Sequence, residues 1–457
     1  MDKNEILAVL NDWNFWRGEQ DTGIGRSIYL DRLEALMESN QIITITGPRR
    51  AGKSYLMRQM ARKLFEQGVK KENIFLVNFE DPRFTSLDTK LMMQIFDVYK
   101  EFVSPTGTPY IFLDEVQEVE GWERWVRMMH ELKKAKIVVS GSNAHLLSRE
   151  LGTLLTGRHL DLTVFPLSFQ EFLAFNKMEA KTPLDVAGRE AEIMGLFRRY
   201  LESGSFPEVA LSEKKREILL NYFEDLLTKD LLKRFRVRKP QIMKSLIKYY
   251  LSNVGNLTTF MSVERFLHAS SDTIEKFAGY FEDVYLIFFL KRFSFKVKEQ
   301  EKSPRKMYAI DTGLCNAVGF RFSENLGRLA ENIVFITLKR QQSLNPDMEL
   351  FYWKDVHHRE VDFVIKDGLK AKELIQVCWN MRDEKTRNRE LRSLQKAMKE
   401  LNISTATIIT EDTEGEEKLH DHAVQLIPLW RWLLGEEGLA SFFTKPDTSR
   451  KKRHMRW

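Results

Sequence analysis

A glycine-rich loop that ends in a lysine and a serine is the segment of this sequence best suited to chemistry. Residues 47–54 read Gly-Pro-Arg-Arg-Ala-Gly-Lys-Ser, between an apolar run at 41–46 and a segment at 55–67 with helical periodicity. Such glycines let backbone amides wrap phosphates, the lysine reaches the β- and γ-phosphates, and the serine oxygen binds Mg²⁺. The segment is a Walker A motif and predicts ATP and Mg²⁺ as cofactors. The predicted nucleotide contacts are Gly47, Pro48, Arg49, Arg50, Ala51, Gly52, Lys53, Ser54 and Tyr55.

Two adjacent acidic residues end a second apolar run, at 110–113. We expect Asp114 to lie beside the Mg²⁺ of the nucleotide and Glu115 to polarise the attacking water. An apolar run followed by two acids is common, and an ordinary strand end is the alternative. After a Walker A loop the pattern indicates a Walker B motif, which favours hydrolysis over passive binding. Ser142 follows a further apolar run at 135–140 and is a candidate sensor of the γ-phosphate.

These residues need a scaffold that brings several loops to one edge. Apolar runs at 41–46, 74–79, 110–113 and 135–140 alternate with helical segments, which predicts an α/β fold with a parallel sheet. Ligands of such sheets bind at the carboxyl ends of the strands, where the candidate residues fall. Farther on, helices are expected at 262–268 and 274–290. Strands are expected at 349–354, 360–366, 374–378 and 405–410.

Composition and charge limit the class of protein, its compartment and its partners. The chain has 457 residues, two cysteines and a formal net charge of +6. The cysteine count supports neither a disulfide framework nor a zinc cluster. The start of the chain lacks the pattern of a signal peptide, and the apolar runs are too short to cross a bilayer. We therefore expect a cytoplasmic protein without a membrane partner. Basic clusters at 229–239, 291–305 and 450–457 permit DNA binding, with solvated faces as the alternative.

The order of motifs resembles a large group of archaeal and bacterial AAA-type ATPases whose carboxyl-terminal domain has a nuclease-like fold and no defined role. The matching stretches are 47–54, 77–84, 112–126, 140–158, 166–173, 200–209, 306–314 and 327–338. By this resemblance to AAA+ proteins, Arg158 is an arginine finger offered to a neighbouring subunit of a homo-oligomer; a surface arginine is the alternative. The turn from Gly204 to Pro207 resembles the signalling ATPases called STAND proteins, in which the proline packs near the adenine.

The resemblance also implies a restriction-endonuclease-like domain at the carboxyl-terminal end. Its metal site uses a helix Glu, a strand Asp and a Glu-x-Lys on the next strand, which correspond here to Glu331, Asp362 and Gln376, with Cys378 in place of the lysine. Gln376 has no charge and Cys378 cannot supply a cation, so metal affinity and hydroxide formation should both suffer. This favours a domain that binds DNA or a partner without cutting. An active nuclease and a purely structural module are the alternatives.

The predicted organisation has five parts. These are a P-loop ATPase core (1–165), a helical lid (166–239), a winged-helix-like domain (240–302), the restriction-endonuclease-like α/β domain (303–435) and a basic tail (436–457). The leading hypothesis is a DNA-associated, Mg²⁺-dependent AAA+ ATPase. The alternatives are a nucleotide switch with a protein partner and an ATP-regulated endonuclease. Winged helices contact DNA or proteins. The candidate DNA contacts are Lys244, Lys248, Lys291, Arg292, Lys296 and Lys298.

Overall fold

The computed structural model describes residues 1–142, 158–178, 180, 182–320, 326–419 and 422–435. The predicted basic tail at 436–457 lies outside these residues. None of the described helices combines the length and the apolar character needed to span a membrane.

The amino-terminal domain contains a five-stranded parallel sheet. Its strands are β1 (Ile42–Thr46), β2 (Ile74–Asn78), β3 (Tyr110–Asp114), β4 (Lys136–Ser140) and β5 (His159–Thr163). Its helices are α1 (Lys3–Trp13), α2 (Ser27–Met37), α3 (Lys53–Glu66), α4 (Thr89–Phe102) and α5 (Trp122–Glu131). The strand order β2-β3-β4-β1-β5 puts β4 between the strand of the glycine-rich loop and the strand that ends at Asp114. The predicted α/β fold with a parallel sheet is confirmed.

Helices cover both faces of the central strands, which are largely apolar, whereas the edge strand β5 has the sequence His-Leu-Asp-Leu-Thr and is only partly buried. All five residues of β1 are buried. Ile42 packs in one cluster with α1 and α4, whereas Ile43 and Ile45 pack in another with α2 and α3. Alternate side chains of a strand point to opposite faces, which explains the division. The helices pack on both faces of the sheet through these two clusters, and this packing positions the edge from which the loops project.

Short helices form the next segment, which was predicted as the lid. They are α6 (Phe169–Phe175), α7 (Pro183–Gly188), α8 (Glu190–Ser203), α9 (Pro207–Leu211), α10 (Lys215–Asp225) and a π-helix (Leu226–Lys233). The helix α6 begins with a capping box between Ser168 and Glu171, and Pro207 occupies the first turn of α9, where its missing N–H costs nothing.

A small antiparallel sheet with four helices follows. The elements are α11 (Pro240–Ser252), β6 (Leu257–Thr258), α12 (Phe260–Leu267), α13 (Ser271–Asp283), β7 (Ile287–Leu290), α14 (Val297–Lys302) and β8 (Arg305–Ala309). The strand order is β6-β8-β7. The helix expected at 274–290 is wrong in its last turn, because the apolar residues of β7 pair with β8 instead. The expected boundary at 302 falls before β8, which completes this sheet.

The carboxyl-terminal region is a second α/β unit. Its elements are α15 (Thr312–Val318), α16 (Leu326–Leu344), β9 (Met348–Lys354), β10 (Glu360–Asp367), β11 (Lys370–Val377), α17 (Glu384–Leu401), β12 (Thr405–Thr410), β13 (Gly415–Leu419), β14 (His422–Pro428) and α18 (Leu429–Leu433). The sheet order is β13-β14-β12-β11-β10-β9. The strands β9, β10 and β11 are antiparallel neighbours, whereas β12 is parallel to β11.

One continuous cluster of buried apolar side chains runs from the lid through the small sheet into the second α/β unit. It joins Phe165 at one end of the chain segment to Leu433 at the other. The ATPase sheet keeps two separate clusters of its own. The other face of the second sheet packs with α17 in a cluster of its own. The lid, the small sheet and the remaining face of the second sheet therefore share a core, which favours their movement as one body.

Candidate ATP site and carboxyl-terminal carboxylate cluster

The glycine-rich loop folds tightly at the end of β1. Gly47 has φ +133°, and a Cβ atom there would lie 2.1 Å from the carbonyl oxygen of Val164. Only glycine fits this position without displacing the backbone. The helix α3 begins at Lys53, so its free amides and positive dipole end face the loop. The structure thus gives the predicted Walker A residues the conformation of an anion cradle.

Lys53 is buried at the mouth of this loop. Its ammonium donates to the carbonyl oxygens of Gly47 and Pro48, each at 3.1 Å. Because the ammonium is already surrounded by the loop, only a short side-chain movement separates it from a phosphate held there. The same burial makes a charged oxygen a better partner than a neutral carbonyl.

Asp114 and Glu115 lie at the adjacent edge of the sheet. The hydroxyl of Ser140, at the end of β4, donates to the Asp114 carboxylate. The amide of Glu115 donates to the Ser140 oxygen at 3.1 Å, and the Glu115 carboxylate accepts from Gln117 at 2.6 Å. Glu115 has φ +50°, a left-handed conformation that is uncommon for a residue with a side chain. These contacts fix the orientation of the two acids.

The Asp114 carboxyl faces Ser54 across the site. Burial raises the pKa of Asp114, the charge of Glu115 raises it further, and hydrogen bonds from Ser140 and Ser54 act in the opposite direction. A buried carboxylate with a raised pKa gains from a nearby cation. A hydroxyl and a carboxylate are hard oxygen ligands of the kind that Mg²⁺ uses beside nucleotide phosphates, so Ser54 and Asp114 fit the implied ion.

Ser142 lies two residues past the end of β4, between the two motif strands. It is 2% exposed, and its hydroxyl has no hydrogen-bond partner among the described residues. An unpaired buried hydroxyl is costly unless a ligand completes it. The position therefore agrees with the predicted sensor role. The rest of its loop, 143–157, lies outside the described residues.

A cleft of about 980 Å³ extends from the loop toward the lid. Its walls include Tyr55 together with the apolar side chains of Ile24, Phe175, Pro207 and Leu211. A Cβ atom on Gly52 would be 3.9 Å from the Pro207 ring. The predicted proline is thus close to the phosphate loop, on the apolar side where a base could pack.

The two arginines of the loop are held by acidic groups, chiefly of the lid. Arg49 pairs with Asp230 at 3.2 Å and with Glu80 at 2.8 Å. Burial lowers the pKa of Arg49, but these carboxylates outweigh burial and raise it. Arg50 donates to Asp225 at 2.7 Å, and its guanidinium lies 4.1 Å from the centre of the Tyr222 ring. Both loop arginines, predicted as nucleotide contacts, therefore connect the loop to the lid.

Arg158 lies away from these groups. Its carbonyl accepts from the amide of Ile42, at the start of β1, and its guanidinium binds Glu131 at 2.5 Å. Five residues of strand, roughly 16 Å, separate that point from the loop. Arg158 is half-exposed and cannot reach the nucleotide site of its own chain.

The three residues predicted for the nuclease-like site do converge in the second α/β unit. The amide of Asp362 donates to the side-chain oxygen of Gln376 at 3.0 Å. Asp362 and Glu331 both bind the ammonium of Lys306, at 2.6 and 3.0 Å. Glu360 binds the same ammonium at 2.8 Å. We call Glu331, Glu360 and Asp362 the carboxylate cluster.

Lys306 comes from β8 and is 1% exposed. Burial lowers the pKa of this lysine, but the charges of Asp362 and Glu331 outweigh burial and raise it well above its ordinary value. Burial and the charge of Asp362 raise the pKa of Glu331. The ammonium therefore stays charged and neutralises the cluster from its centre.

The implied metal ion does not fit this cluster. The ammonium occupies the point on which the carboxylates converge, and the second oxygen of Asp362 accepts from the amide of Val377 at 2.8 Å. The Gln376 oxygen is used by Asp362, and its amide nitrogen donates to Glu390 at 2.9 Å. Over the described ranges, no group of three or more His, Cys, Asp or Glu side chains is arranged to hold a metal.

Sequence reasoning named the cluster residues Glu331 and Asp362 but missed Lys306 and Asp311. Asp311 caps α15 and also accepts from the Ser205 amide at 2.6 Å, next to the Gly204–Pro207 turn. A Cβ atom on Gly204 would overlap the Asp311 carboxylate, at 2.1 Å. Both missed residues lie in the stretch 306–314, whose match to the resembled family was the available signal.

Comparison with family models divides the chain in three. Residues 39–173 match a model described as an AAA domain. Residues 194–325 and 326–432 match two models described as domains of unknown function, DUF8612 and DUF4143. Among solved structures, the Walker-type ATPase PABY2304 of Pyrococcus abyssi is similar with a TM-score of 0.42 and 14% identity, covering 65% of this chain and 96% of that one.

Two curated proteins are similar over most of their length. The uncharacterized protein MJ1544 of Methanocaldococcus jannaschii is 33% identical over 416 residues, which are 88% of this chain and 90% of that protein. An uncharacterized protein of Haemophilus influenzae is 32% identical over 366 residues, or 78% and 86% of the two chains. The chain thus belongs to the family of these two proteins, and its residues 39–173 form an AAA-type P-loop ATPase domain.

Proposed function

We propose that this protein is a Mg²⁺-dependent ATPase that uses ATP binding and hydrolysis to change the arrangement of its domains on DNA. One observation carries the proposal: the phosphate loop is bonded to the lid through its own two arginines, Arg49 and Arg50. A nucleotide that enters the loop competes with the lid carboxylates for these cations. Nucleotide binding and lid position are then linked.

The residues of the site divide the chemistry among them. Lys53 and the amides of the loop bind the phosphates, and Ser54 and Asp114 would hold Mg²⁺, which neutralises charge on the phosphates when bound. Glu115 is held by Gln117 and its own amide, so it can orient a water and accept its proton. The unpaired Ser142 hydroxyl would contact the γ-phosphate or that water.

A continuous chain of contacts leads from the site to the carboxyl-terminal half. Pro207 lies beside the loop, Ser205 of the same turn binds Asp311, and Asp311 follows β8, which carries Lys306. Lys306 is bonded to the carboxylate cluster. The lid turn and the second α/β unit are thus fastened to one short segment. This supports a domain movement that starts at the nucleotide.

Two features support the predicted domain types of that half. The middle region has four helices and a three-stranded sheet, and apart from α14, which lies in the connection between β7 and β8, their order is helix-strand-helix-helix-strand-strand, as in a winged helix. The second α/β unit runs helix, three antiparallel strands, helix and parallel strand, as expected of a restriction-endonuclease-like core. Its cluster holds an ammonium, which favours binding without cutting over an active nuclease.

Arg158 would complete the nucleotide site of a neighbouring subunit. It is half-exposed and points away from its own site, which supports an arginine finger that acts in trans. Its bond to Glu131 on the surface is of a kind that contributes little, so a phosphate can replace it.

The test is an ATPase assay with and without duplex DNA. We expect hydrolysis that DNA stimulates. Lys53→Ala should lose nucleotide binding, and Glu115→Gln should bind ATP and lose about 10²–10⁴-fold in kcat. Hydrolysis at the wild-type rate by Glu115→Gln would exclude the assigned water-activating role. A rate indifferent to DNA, with no salt-sensitive DNA binding, would remove DNA from the proposal and leave the ATPase.

A second candidate, a STAND-like switch with a protein partner, is favoured by the closed arrangement of loop and lid. Two guanidinium groups and the packing of Pro207 near the loop would slow nucleotide release. The purified protein would then retain ADP after gel filtration and turn over once. Steady multiple turnover without any partner would exclude this candidate.

A further inference from the structure

The outer face of α17 carries a row of positive side chains. The row consists of Lys385, Arg389, Arg392, Lys396 and Lys399. Successive members are three or four residues apart, which puts them on one side of the helix, opposite the buried Leu394 and Met398. All five are exposed. At 1.5 Å per residue the row is about 21 Å long. We call it the α17 row.

This row is costly to the helix that carries it. Residues three and four apart on a helix are neighbours, and like charges there destabilise it by about 0.2–0.5 kcal/mol per pair. Arg389 binds Glu390 at 2.6 Å. Within the described ranges, Lys385, Arg392, Lys396 and Lys399 form no ion pair. Because four of these five charges have no counter-charge within the described chain, an external anion would relieve their repulsion.

Four of the six cations predicted to contact DNA in the middle domain are differently placed. Lys244 pairs with Glu224 at 3.1 Å. Lys291 pairs with Glu301 at 2.5 Å, and Lys296 with Glu299 at 3.2 Å. Arg292 donates to a backbone carbonyl. A phosphate would have to displace a carboxylate at three of these positions, whereas the α17 row is open to it.

The surroundings of the row extend its positive and polar character. The row lines a cleft of about 1450 Å³, separate from the cleft at the ATP site. His357, Arg359 and His422 border this cleft, as do Thr386, Asn388 and Gln395. Among the described residues that line it there is no acidic or aliphatic side chain and no Phe, Tyr or Trp. The buried Nδ1 atom of His422 has no partner in the described part of the chain.

We propose that the α17 row is the site at which the second α/β unit binds the phosphate backbone of a nucleic acid duplex. Proteins that bind single strands stack the bases on aromatic side chains such as Phe, Tyr and Trp, and protein interfaces have an apolar centre. The described lining of this cleft has no Phe, Tyr or Trp and no aliphatic side chain. A duplex carries one charge per roughly 1.7 Å of axis, so 21 Å of row faces about 12 phosphates. This inference rests on the DNA-binding part of the proposed function and moves its main contact from the middle domain to α17.

The experiment measures binding of the full-length protein to fluorescent duplexes of about 24 base pairs, one of DNA and one of RNA, between roughly 0.05 and 0.3 M salt. The test variant is Arg392→Gln with Lys396→Gln. The matched control is Arg198→Gln with Lys134→Gln, which also removes one exposed arginine charge and one exposed lysine charge, at positions with no assigned role. Thermal unfolding of each protein checks the fold, and the α17 variant should be no less stable than the wild type.

Five phosphate contacts predict a slope of log K against log salt near −4.5, and two lost contacts should reduce it by about 1.8. At 0.1 M salt this corresponds to roughly 60-fold weaker binding of the α17 variant, with the control unchanged within about twofold. Similar effects on DNA and RNA support recognition of the backbone. Wild-type binding with an unaffected α17 variant overturns this inference alone. Absence of duplex binding by the wild type overturns it together with the DNA part of the proposed function.

Discussion

Two groups of buried carboxylates in this chain face opposite electrostatic situations. Asp114 and Glu115 are held by neutral donors, chiefly Ser140 and Gln117, and their negative charge is left for a cation that arrives with the nucleotide. The carboxylate cluster encloses the ammonium of Lys306, which belongs to the chain itself. Both sites have the acids that a metal site needs, but only the first leaves them uncompensated.

This difference between the Walker acids and the carboxylate cluster shows that acidic residues at the right positions do not by themselves make a metal site. What matters is whether the fold supplies its own counter-charge. A buried ion pair is costly to assemble and costlier to break, because removing one partner leaves a charge without water or counter-ion. The cluster therefore fastens β8 to α16 and β10, whereas the Walker residues keep a chemical role.

The largest expected effect comes from removing the internal cation. Lys306→Met leaves Glu331 and Asp362 without a counter-charge in a site that water hardly reaches, and we expect a loss of about 3–5 kcal/mol in the free energy of unfolding. Urea denaturation followed by tryptophan fluorescence measures it. The matched control is Lys354→Met, because Lys354 also pairs with Glu360, at 3.0 Å, but is partly exposed. That change should cost under about 1 kcal/mol. Equal losses in the two variants would contradict a special role for the central ammonium.

A smaller effect, in catalysis, should separate the two aspartates. Asp114→Asn removes the charge beside the nucleotide and should lower kcat for ATP about 10²–10³-fold. Asp362→Asn has the same change in shape and charge at the other site, and its ATPase rate should stay within about twofold of the wild type. A comparable loss in both would show that the cluster takes part in hydrolysis.

The residues of the candidate ATP site could be named from the sequence because each of its parts is local. The loop 47–54 and the pair Asp114–Glu115 are read from adjacent residues, and the alternation of strands and helices places them at one sheet edge. Nothing local reveals that Arg49 and Arg50 bind Asp230 and Asp225, which follow about 175–181 residues later. Such contacts depend on how the lid packs.

The carboxylate cluster shows the same limit more sharply. Glu331 and Asp362 were assigned through the family resemblance, which implies a Glu on a helix and an Asp on a strand. Lys306 precedes both and belongs to another sheet, so no spacing rule connects it with them. The helix expected through Leu290 failed for a related reason, since an apolar run such as Ile287–Leu290 is ambiguous until its partner strand is known. Tertiary pairing decides both cases.

The smallest predicted effect concerns Asp311, in the segment that joins the two sites. Burial raises the pKa of Asp311 to about 6, although the hydrogen bonds from Ser205 and Leu314 oppose the shift. An aspartate in an unfolded chain has a pKa near 3.9, so between these values the folded protein binds the additional proton. Its contribution to stability is therefore complete below about pH 4 and is lost as the pH rises through 6. From about pH 5 to 7.5 the wild type should lose roughly 1.4 kcal/mol relative to Asp311→Asn, measured as the free energy of unfolding of both proteins.

The hydrogen bonds that asparagine alters lower the stability of the Asp311→Asn variant equally at both pH values. The pH dependence of the difference between the two proteins therefore reports only the proton on Asp311. Parallel pH curves would mean that Asp311 ionises as easily in the folded chain as in the unfolded one. The turn beside the nucleotide would then be fastened to the carboxyl-terminal half by a carboxylate that is fully charged even at pH 5.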